Sequence, residues 1–367
     1  MATITIKQVI ESLEKLAPPQ YQEEYDNSGL ITGQAADDVK SILVTLDCTE
    51  AVVEEAISKS CNLIIAHHPI LFKGVKRLTG NTYVERVLIK AIRNQIAIYA
   101  IHTNLDNVIQ GVNKKIADRL GLKNLQVLSP RQNTLSKIVT FIPLDYTEKV
   151  ISALHDAGAG HVGNYSHCSF SSEGMGAYLP TENSKPFAGS KGKLEKTKET
   201  RVEMIFPKLL LTKILTALRQ SHPYEEVAYY VSDLANQNQE VGSGMLGELP
   251  VPEESLGFLN RLKTVMDTNC VRYTNIHAKH ITKVALCGGA GSFLLPQAIA
   301  KGADVFISAD FKYHEFFDAD NKITVADIGH YESEQFTKEL IGEYLQEKFP
   351  TFAIIFSNVV TNPISYL

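Results

Sequence analysis

NLIIAHHP, residues 62–69, is an apolar run that ends in two adjacent histidines and a proline. The apolar runs SILVTLD (41–47) and IAIYAIHTNLD (96–106) lie on either side of it, and the segments between the three have helical patterns. Near-continuous apolar runs are typical of strands that are buried on both faces of a parallel sheet. Strands that alternate with helices predict right-handed crossovers, so we expect a layered α/β structure here.

Further helices and strands are predicted near both ends of the chain. An amphipathic helix is predicted over residues 6–16, because apolar side chains recur there at helical spacing, and Pro18 and Pro19 should end it. Near the C-terminus, strands and helices are predicted to alternate again. The segments are KVALCGGAGS (283–292), ADVFISADF (303–311), ITVADIGHYESEQFTKELIGEYLQE (323–347) and TFAIIFSN (351–358).

The middle of the chain has a different sequence pattern. Residues 136–160 have a strand, a helix and a glycine-rich exit, and residues 200–234 have a strand, a helix, a loop and a strand. Two βαβ-like halves of this kind are typical of a ferredoxin-like α+β fold. The segment 174–200 between the halves is rich in Gly, Lys, Ser and Thr, and we expect it to be a loop or hairpin tip.

These changes of sequence pattern along the chain predict two domains, one inserted into the other. A turn-rich linker over 236–255 follows the middle unit, and the α/β pattern then resumes. We therefore expect a discontinuous α/β domain made of residues 1–130 and 238–367, with an α+β domain inserted at 131–237.

The composition is that of an ordinary globular protein, with 44% hydrophobic and 21% charged residues over 367 positions. The net charge of −5 includes no basic stripe, so nucleic acid is not expected as a partner. No signal pattern opens the sequence and no apolar run reaches the roughly 18 residues that span a bilayer, so a cytoplasmic protein without membrane contact is expected. Five scattered cysteines, never in CxxC spacing, argue against disulfides and a thiolate zinc site.

The histidine pair is the strongest local signal for chemistry. His67 and His68 would point to opposite sides of an extended strand, but Pro69 makes a bend plausible that turns both into one cavity. Open α/β sheets bind ligands at the carboxyl ends of their strands. The alternative is a structural or solvent-facing pair.

The next strand end supplies a carboxylate. His102 and Asp106 follow the apolar run IAIYAI, and a carboxylate there adds an oxygen ligand to the imidazoles. The alternative for Asp106 is a helix cap before Asn107. His102 is either a ligand or a residue that orients one, and we favour the second role.

A third strand end precedes His330 and Glu334. The two are four residues apart, so a helix that starts at His330 places both on one face. The alternative is that the glutamate only complements the helix dipole.

The three strand ends, taken together, favour metal binding over these separate alternatives. Three imidazoles and two carboxylates exceed the needs of one zinc ion, so we expect two divalent ions, which could be zinc, iron or manganese.

Two further segments could line the same cavity. LCGGAGSF (286–293) follows a strand and could present backbone N–H groups to an anion, although glycines after strands also form ordinary turns. SADFKYHEFFDA (308–319) carries Asp310, Lys312 and His314, which are candidates for substrate binding or proton transfer. A simple surface position is the equal alternative for these three.

Six motifs, taken in order, resemble those of a known family. They are DNSGL (26–30), IIAHHPILFKG (64–74), HTNLD (102–106), CGGAGS (287–292), SADFKYHEFFDA (308–319) and DIGHYESE (327–334). The chain resembles the GTP cyclohydrolase 1 type 2 homologues, also called the Nif-three-like family. The resemblance covers nearly the whole length and departs at Ser308 and Ala309, where many relatives have a TGD-type start.

The resemblance implies a dinuclear metal site. Its ligands fall on His67, His68, Asp106, His330 and Glu334, with Glu334 as the bridge. The resemblance further implies that the middle unit is a PII-like or CutA-like insertion, since SHPYEEVAYYV (221–231) is similar to the HPYE stretch of CutA proteins. Similar proteins assemble as hexameric toroids, so a homohexamer is expected.

Two functions of different classes follow as hypotheses. The first is a metal-dependent hydrolase that opens the guanine ring of GTP or cleaves a phosphoester in a nucleotide-like substrate, with His102 or His314 moving protons. The second is a non-catalytic metal-handling or regulatory protein whose insertion senses a small ligand. A ring-shaped scaffold for DNA or protein is least favoured, because the basic stripe is missing.

Overall fold

The structure is a computed structural model that describes residues 4–367. Residue contacts separate them into two units, one made of the chain up to Pro130 together with Glu240–Leu367, and the other of Arg131–Gln239. The α/β class predicted from the sequence is confirmed, since both units contain helices and strands. Among the described residues, no helix is long and apolar enough to cross a bilayer.

The first part of the larger unit alternates strands and helices. Its elements are α1 (Ile6–Leu16), β1 (Gly29–Thr32), β2 (Ile42–Thr45), α2 (Glu50–Ser58), β3 (Leu63–Ala66), α3 (Tyr83–Arg93), β4 (Ala97–Ala100), α4 (Thr103–Asp106), α5 (Val112–Arg119) and β5 (Lys123–Pro130). The helix α1 has the predicted bounds. A capping box starts it, because the side chains of Thr5 and Gln8 each accept a hydrogen bond from the other's backbone N–H.

The smaller unit is a four-stranded antiparallel sheet with two helices. Its elements are β6 (Leu135–Pro143), α6 (Thr147–Asp156), β7 (Phe170–Tyr178), β8 (Glu195–Pro207), α7 (Leu211–Ser221) and β9 (Tyr229–Leu234). The sheet order is β7-β8-β6-β9. Alternate apolar residues of β6 and β8, such as Ile138, Val202 and Met204, form a core with residues of α6 and α7. The residues between them therefore face away from that core.

The chain then returns to the larger unit. The remaining elements are β10 (Gly242–Glu254), α8 (Ser255–Val265), β11 (Arg272–Tyr273), β12 (His280–Ala290), α9 (Leu295–Ala300), β13 (Val305–Ala309), β14 (Thr324–Asp327), α10 (His330–Glu334), α11 (Thr337–Lys348) and β15 (Ile354–Phe356). Short 3-10 helices occur at Pro19–Tyr21, Leu144–Tyr146, Lys208–Leu210, Ser292–Leu294 and Tyr313–Ala319.

Two sheets make up the larger unit. The first has the order β1-β4-β3-β2-β15 and is parallel except for its edge strand β1. The second has the order β11-β14-β13-β12-β10-β5, with a parallel centre of β12, β13 and β14. Strands β2, β3, β4, β13 and β14 are buried along their whole length, which explains their continuous apolar sequences.

Only part of the polar segment 174–200 is the loop or hairpin tip that the sequence predicted. Strand β7 extends to Tyr178 and β8 begins at Glu195, so only the residues between them form the hairpin tip. The side chains of β7 are exposed or half-buried along its whole length. A strand that buries neither face shows no alternation of apolar and polar residues, and its sequence therefore resembles a loop.

Candidate metal centre

Three strand ends of the larger unit converge on one group of side chains. His67 and His68 follow β3. The N–H of His67 donates to the carbonyl of Thr45 at the end of β2, and that of His68 donates to the carbonyl of Leu46, so the pairing continues past the end of β3. Asp106 is the last residue of α4, the short helix that follows β4. His330 and Glu334 are the first and last residues of α10, which follows β14.

These side chains form three overlapping groups that could hold a metal ion. The groups are His67, His68 and His102; His68, His330 and Glu334; and His67, Asp106 and Glu334. Within each group, one potential ligand atom from every residue lies within 4.8 Å of the others. All five residues predicted as ligands are therefore brought together, and His102 joins them.

Each of the four imidazoles is anchored through Nδ1 to an oxygen atom. The bonds are His67 to the Ile101 carbonyl at 2.8 Å, His68 to Asp47 at 2.7 Å, His102 to Asp26 at 2.7 Å and His330 to Asp310 at 2.7 Å. Metal-binding histidines usually donate the N–H of one ring nitrogen to such an acceptor, which fixes the ring and leaves the other nitrogen for the metal. The four rings are oriented in this way, with Nε2 left for the centre.

Glu334 connects two of the anchored imidazoles. Its Oε2 atom accepts a hydrogen bond from Nε2 of His68 at 2.9 Å and forms an ion pair with Nε2 of His330 at 3.1 Å. Burial acts to raise the pKa of Glu334, but the two imidazoles lower it well below its ordinary value. Burial likewise opposes the charge on the imidazoles, yet their bonds to carboxylates raise the pKa of His68 to about 10 and that of His330 to about 11.

The opposite side of the cluster has polar atoms without partners. Nε2 of His67 and Oδ1 of Asp106 are both buried and lie 3.5 Å apart, and neither has a hydrogen-bond partner among residues 4–367. Burial lowers the pKa of His67 to about 3, while burial and the nearby charge of Glu334 raise the pKa of Asp106 well above its ordinary value. Buried polar atoms are nearly always paired, and two acceptors so placed fit a cation between them.

Two glycines near the end of β12, Gly288 and Gly289, have a steric role at this site, and they lie within the strand and not after it. Gly289 has a φ of +63°, and a Cβ there would lie 2.4 Å from Oε1 of Glu334. The N–H of Gly288 already donates to Asn113, and that of Gly289 donates to Ser333. These N–H groups are therefore not free for an anion, and the glycines leave space for the Glu334 carboxylate.

A cleft of about 910 Å³ opens onto the cluster. Tyr25, Phe72, Tyr83 and Phe293 line it and are more than half exposed. The ring of Phe72 lies edge-on to that of His102, with their centroids 5.8 Å apart. Candidate metal ligands and exposed aromatic faces that line the same cleft suit a ligand with a planar ring and a polar group.

The segment SADFKYHEFFDA (308–319) has one of its three candidate residues at the cluster and two away from it. Asp310 lies at the cluster, where it accepts a hydrogen bond from His330. Lys312 and His314 are exposed, and the ring of His314 contacts Tyr313 and Phe317 instead. A role of His314 in proton transfer stays a prediction without a contact to the cluster.

Sequence reasoning assigned no role to Asp26 or Asp47, which hold two of the imidazoles. Asp26 also accepts from the hydroxyl and the N–H of Thr103; burial acts to raise its pKa, but the hydrogen bond from His102 holds it far below the ordinary value. Asp47 ends the apolar run SILVTLD. A carboxylate shortly after the buried strand β2 was the available signal for Asp47, whereas Asp26 precedes β1 and had no such signal.

The fold and the cluster define a class of two-unit α/β proteins with a candidate histidine and carboxylate metal site at their strand ends. The family model described as Duf34/NIF3 (NGG1p interacting factor 3) matches residues 4–363. A Bacillus subtilis (strain 168) protein named GTP cyclohydrolase 1 type 2 homolog is 38% identical over 367 residues, covering 98% of each chain. The chain therefore belongs to the Duf34/NIF3 family.

Solved structures agree with this assignment. The crystal structure of a Bacillus cereus protein related to NIF3 matches with a TM-score of 0.89 at 37% identity, covering 100% of each chain. The crystal structure of Staphylococcus aureus protein SA1388 matches with a TM-score of 0.80 at 29% identity, again over 100% of each chain. The resemblance seen in the sequence motifs is confirmed.

Proposed function

We propose that the cluster holds two divalent metal ions, which are zinc, iron or manganese. His68, His330 and Glu334 would hold one ion, and His67, Asp106 and Glu334 would hold the other, so that Glu334 would be a ligand of both. The observation that carries this proposal is the buried and unpartnered pair formed by Nε2 of His67 and Oδ1 of Asp106. A second ion gives both atoms a partner that no protein group supplies.

The proposed activity is hydrolysis of a nucleotide-like substrate. A pair of divalent ions supplies Lewis acidity to such a reaction. The exposed rings of Tyr25, Phe72 and Phe293 in the cleft offer faces on which a base can stack. We propose that His102 moves a proton in this reaction, and its hydrogen bond from Nδ1 to Asp26, which leaves Nε2 for the substrate, supports this role.

Metal analysis and turnover on one set of proteins test this proposal. We expect two ions per chain in the wild type, with metal-dependent turnover of GTP or of a phosphodiester. Glu334→Ala should lose both, whereas Glu343→Ala, which changes an exposed glutamate paired with Lys115, should keep both. Full activity of Glu334→Ala would contradict the assignment. Stable loading without turnover would favour the metal-handling or regulatory alternative.

The smaller unit is proposed to be a ferredoxin-like, PII-like or CutA-like insertion. Its order of β6, α6, β7, β8, α7 and β9, with the sheet order β7-β8-β6-β9, supports the split βαβ arrangement. We also propose a cytoplasmic homohexamer, because the motifs resemble those of hexameric proteins. Light scattering should then give six times the chain mass of 40.6 kDa; a monomer would contradict it.

A further inference from the structure

A second cavity, of about 640 Å³, is formed by residues of the unit Arg131–Gln239 alone. It includes Phe141 of β6 and Arg201 of β8, which alternate with the core residues Ile142 and Val202. The cavity therefore lies on the face of the four-stranded sheet that points away from α6 and α7. The cleft at the candidate metal centre of the larger unit shares no lining residue with this second cavity.

Aromatic rings form one wall of this cavity. The ring centroid of Tyr224 lies 6.0 Å from that of Tyr178 and 5.9 Å from that of Phe187. All three residues line the cavity. Aromatic faces carry partial negative charge, so rings grouped in this way attract cations that bear apolar groups.

A buried carboxylate lies beside these rings. Glu199 is only 7% exposed, and its Oε1 accepts a hydrogen bond from the hydroxyl of Tyr224 at 2.9 Å. In the described part of the chain, no nitrogen of lysine, arginine or histidine forms an ion pair with Glu199. The guanidinium of Arg201, which also lines the cavity, is bound to Glu203 at 2.7 Å. A carboxylate is rarely buried unless a cation compensates its charge.

His222 does not supply the missing charge. Its Nε2 donates to the carbonyl of Phe141 at 3.0 Å, and its Nδ1 accepts from the N–H of Tyr224 at 3.1 Å. Both nitrogens are used as in a neutral ring, and burial lowers the pKa of His222.

The side chains that line the cavity have a negative balance of charge, because four carboxylates lie there with one guanidinium. They are Glu173, Glu199, Glu225 and Glu226.

We propose that this cavity is a binding site for an organic ammonium ion. The ammonium head lies against the Glu199 carboxylate and the rings of Tyr178 and Tyr224, while its carbon substituents contact Phe187. The site goes beyond the proposed hydrolase function and does not depend on metal binding at Glu334. It identifies the chemistry of a small ligand that the smaller unit can bind.

Calorimetric titration of the full chain with choline tests the proposal. The matched control ligand is 3,3-dimethylbutan-1-ol, which has the shape of choline but no charge. We expect choline to bind at least about tenfold more tightly than the alcohol, because the carboxylate acts only on the charged ligand. Titration with n-butylammonium distinguishes a quaternary from a primary head group.

Variants locate the binding. Glu199→Gln keeps a side-chain oxygen for Tyr224 but removes the charge, and should weaken choline binding at least about tenfold. Asp233→Asn removes a charge from the same sheet, at a side chain paired with Lys208 outside the cavity, and should leave binding unchanged. Equal binding of choline and the alcohol, or of choline to wild type and Glu199→Gln, would overturn the proposal. So would the absence of binding by both ammonium ions at about 10 mM.

Discussion

The carboxylate of Glu334 lies 2.9 Å from Nε2 of His68, although the two residues are 266 positions apart in the chain. His68 follows β3 in the first sheet of the larger unit, and Glu334 ends α10 after β14 of the second sheet. The candidate metal centre therefore joins the carboxyl ends of strands from two sheets. An ion at this position should stabilise the whole unit.

Removal of metal should lower the thermal stability of the loaded protein. A ligand present at 100 times its Kd stabilises the folded state by about 2.7 kcal/mol, which corresponds to a Tm shift of roughly 5–10 °C in a unit of this size. Without an ion, Nε2 of His67 and Oδ1 of Asp106 have no hydrogen-bond partner in the described part of the chain. Scanning calorimetry before and after treatment with a chelator, followed by return of zinc, measures the shift. An unchanged Tm would contradict a metal that links the two sheets.

Asp47→Asn should weaken metal binding although Asp47 is not itself proposed as a ligand. Its carboxylate accepts the Nδ1 proton of His68 at 2.7 Å, which orients the ring and makes Nε2 a better ligand. Loss of such a partner costs roughly 10–100-fold in metal affinity. Competition with a chromophoric chelator measures the Kd. Asp37→Asn, at an exposed position, is the control and should bind as the wild type does.

Gly289→Ala and Gly302→Ala separate backbone strain from crowding of the metal centre. Both glycines have positive φ, +63° and +67°, so alanine should cost each about 1–2 kcal/mol of stability. Only at Gly289 would the new Cβ also meet Glu334, at 2.4 Å, whereas nothing lies within 4 Å at Gly302. We expect both variants to unfold at lower urea concentration and only Gly289→Ala to lose metal. Equal metal content in the two would refute the steric role of Gly289.

His222→Gln should remove a pH dependence of stability from the smaller unit. Burial lowers the pKa of His222 below its ordinary value of 6.5, so the unfolded state takes up the proton more readily than the folded state. The stability that His222 contributes is therefore present above pH 6.5 and is lost as the pH falls below that value. Urea unfolding between pH 7.5 and 5.5, both values within about one unit of that pKa, compares wild type with variant. The exposed His161→Gln serves as control, and identical slopes for wild type and His222→Gln would contradict the prediction.

Much of the fold was predictable because its signals are local. The helix α1 has its predicted bounds, since apolar spacing, a capping box and the following prolines all act within a few residues. Strands β3 and β4 were visible as apolar runs because both of their faces are buried. Strand β7 was not visible, because its exposed side chains leave no periodic pattern.

The candidate ligands were predictable for a related reason. His67 and Asp106 come shortly after β3 and β4, neighbouring parallel strands whose carboxyl ends meet at one edge of the first sheet. His330 follows β14 of the second sheet, and its position beside them depends on how the two sheets pack. Which carboxylate holds which imidazole was not predictable. Asp47, Asp310 and Asp26 are 21, 20 and 76 positions from the histidines that they hold, and these pairs form only when separate segments pack together.

Hydrophobic periodicity and helix capping depend on neighbours in the chain, so most element types, most strand ends and the residue types found there could be predicted from the amino-acid order. Long-range packing sets which nitrogen of each imidazole faces the centre and why Gly289 must be glycine, and it buries Glu199 beside aromatic rings with no cation from residues 4–367 paired to it. These properties depend on contacts between distant segments. Such contacts exist only once the sheets have packed and the polar side chains have lost their water.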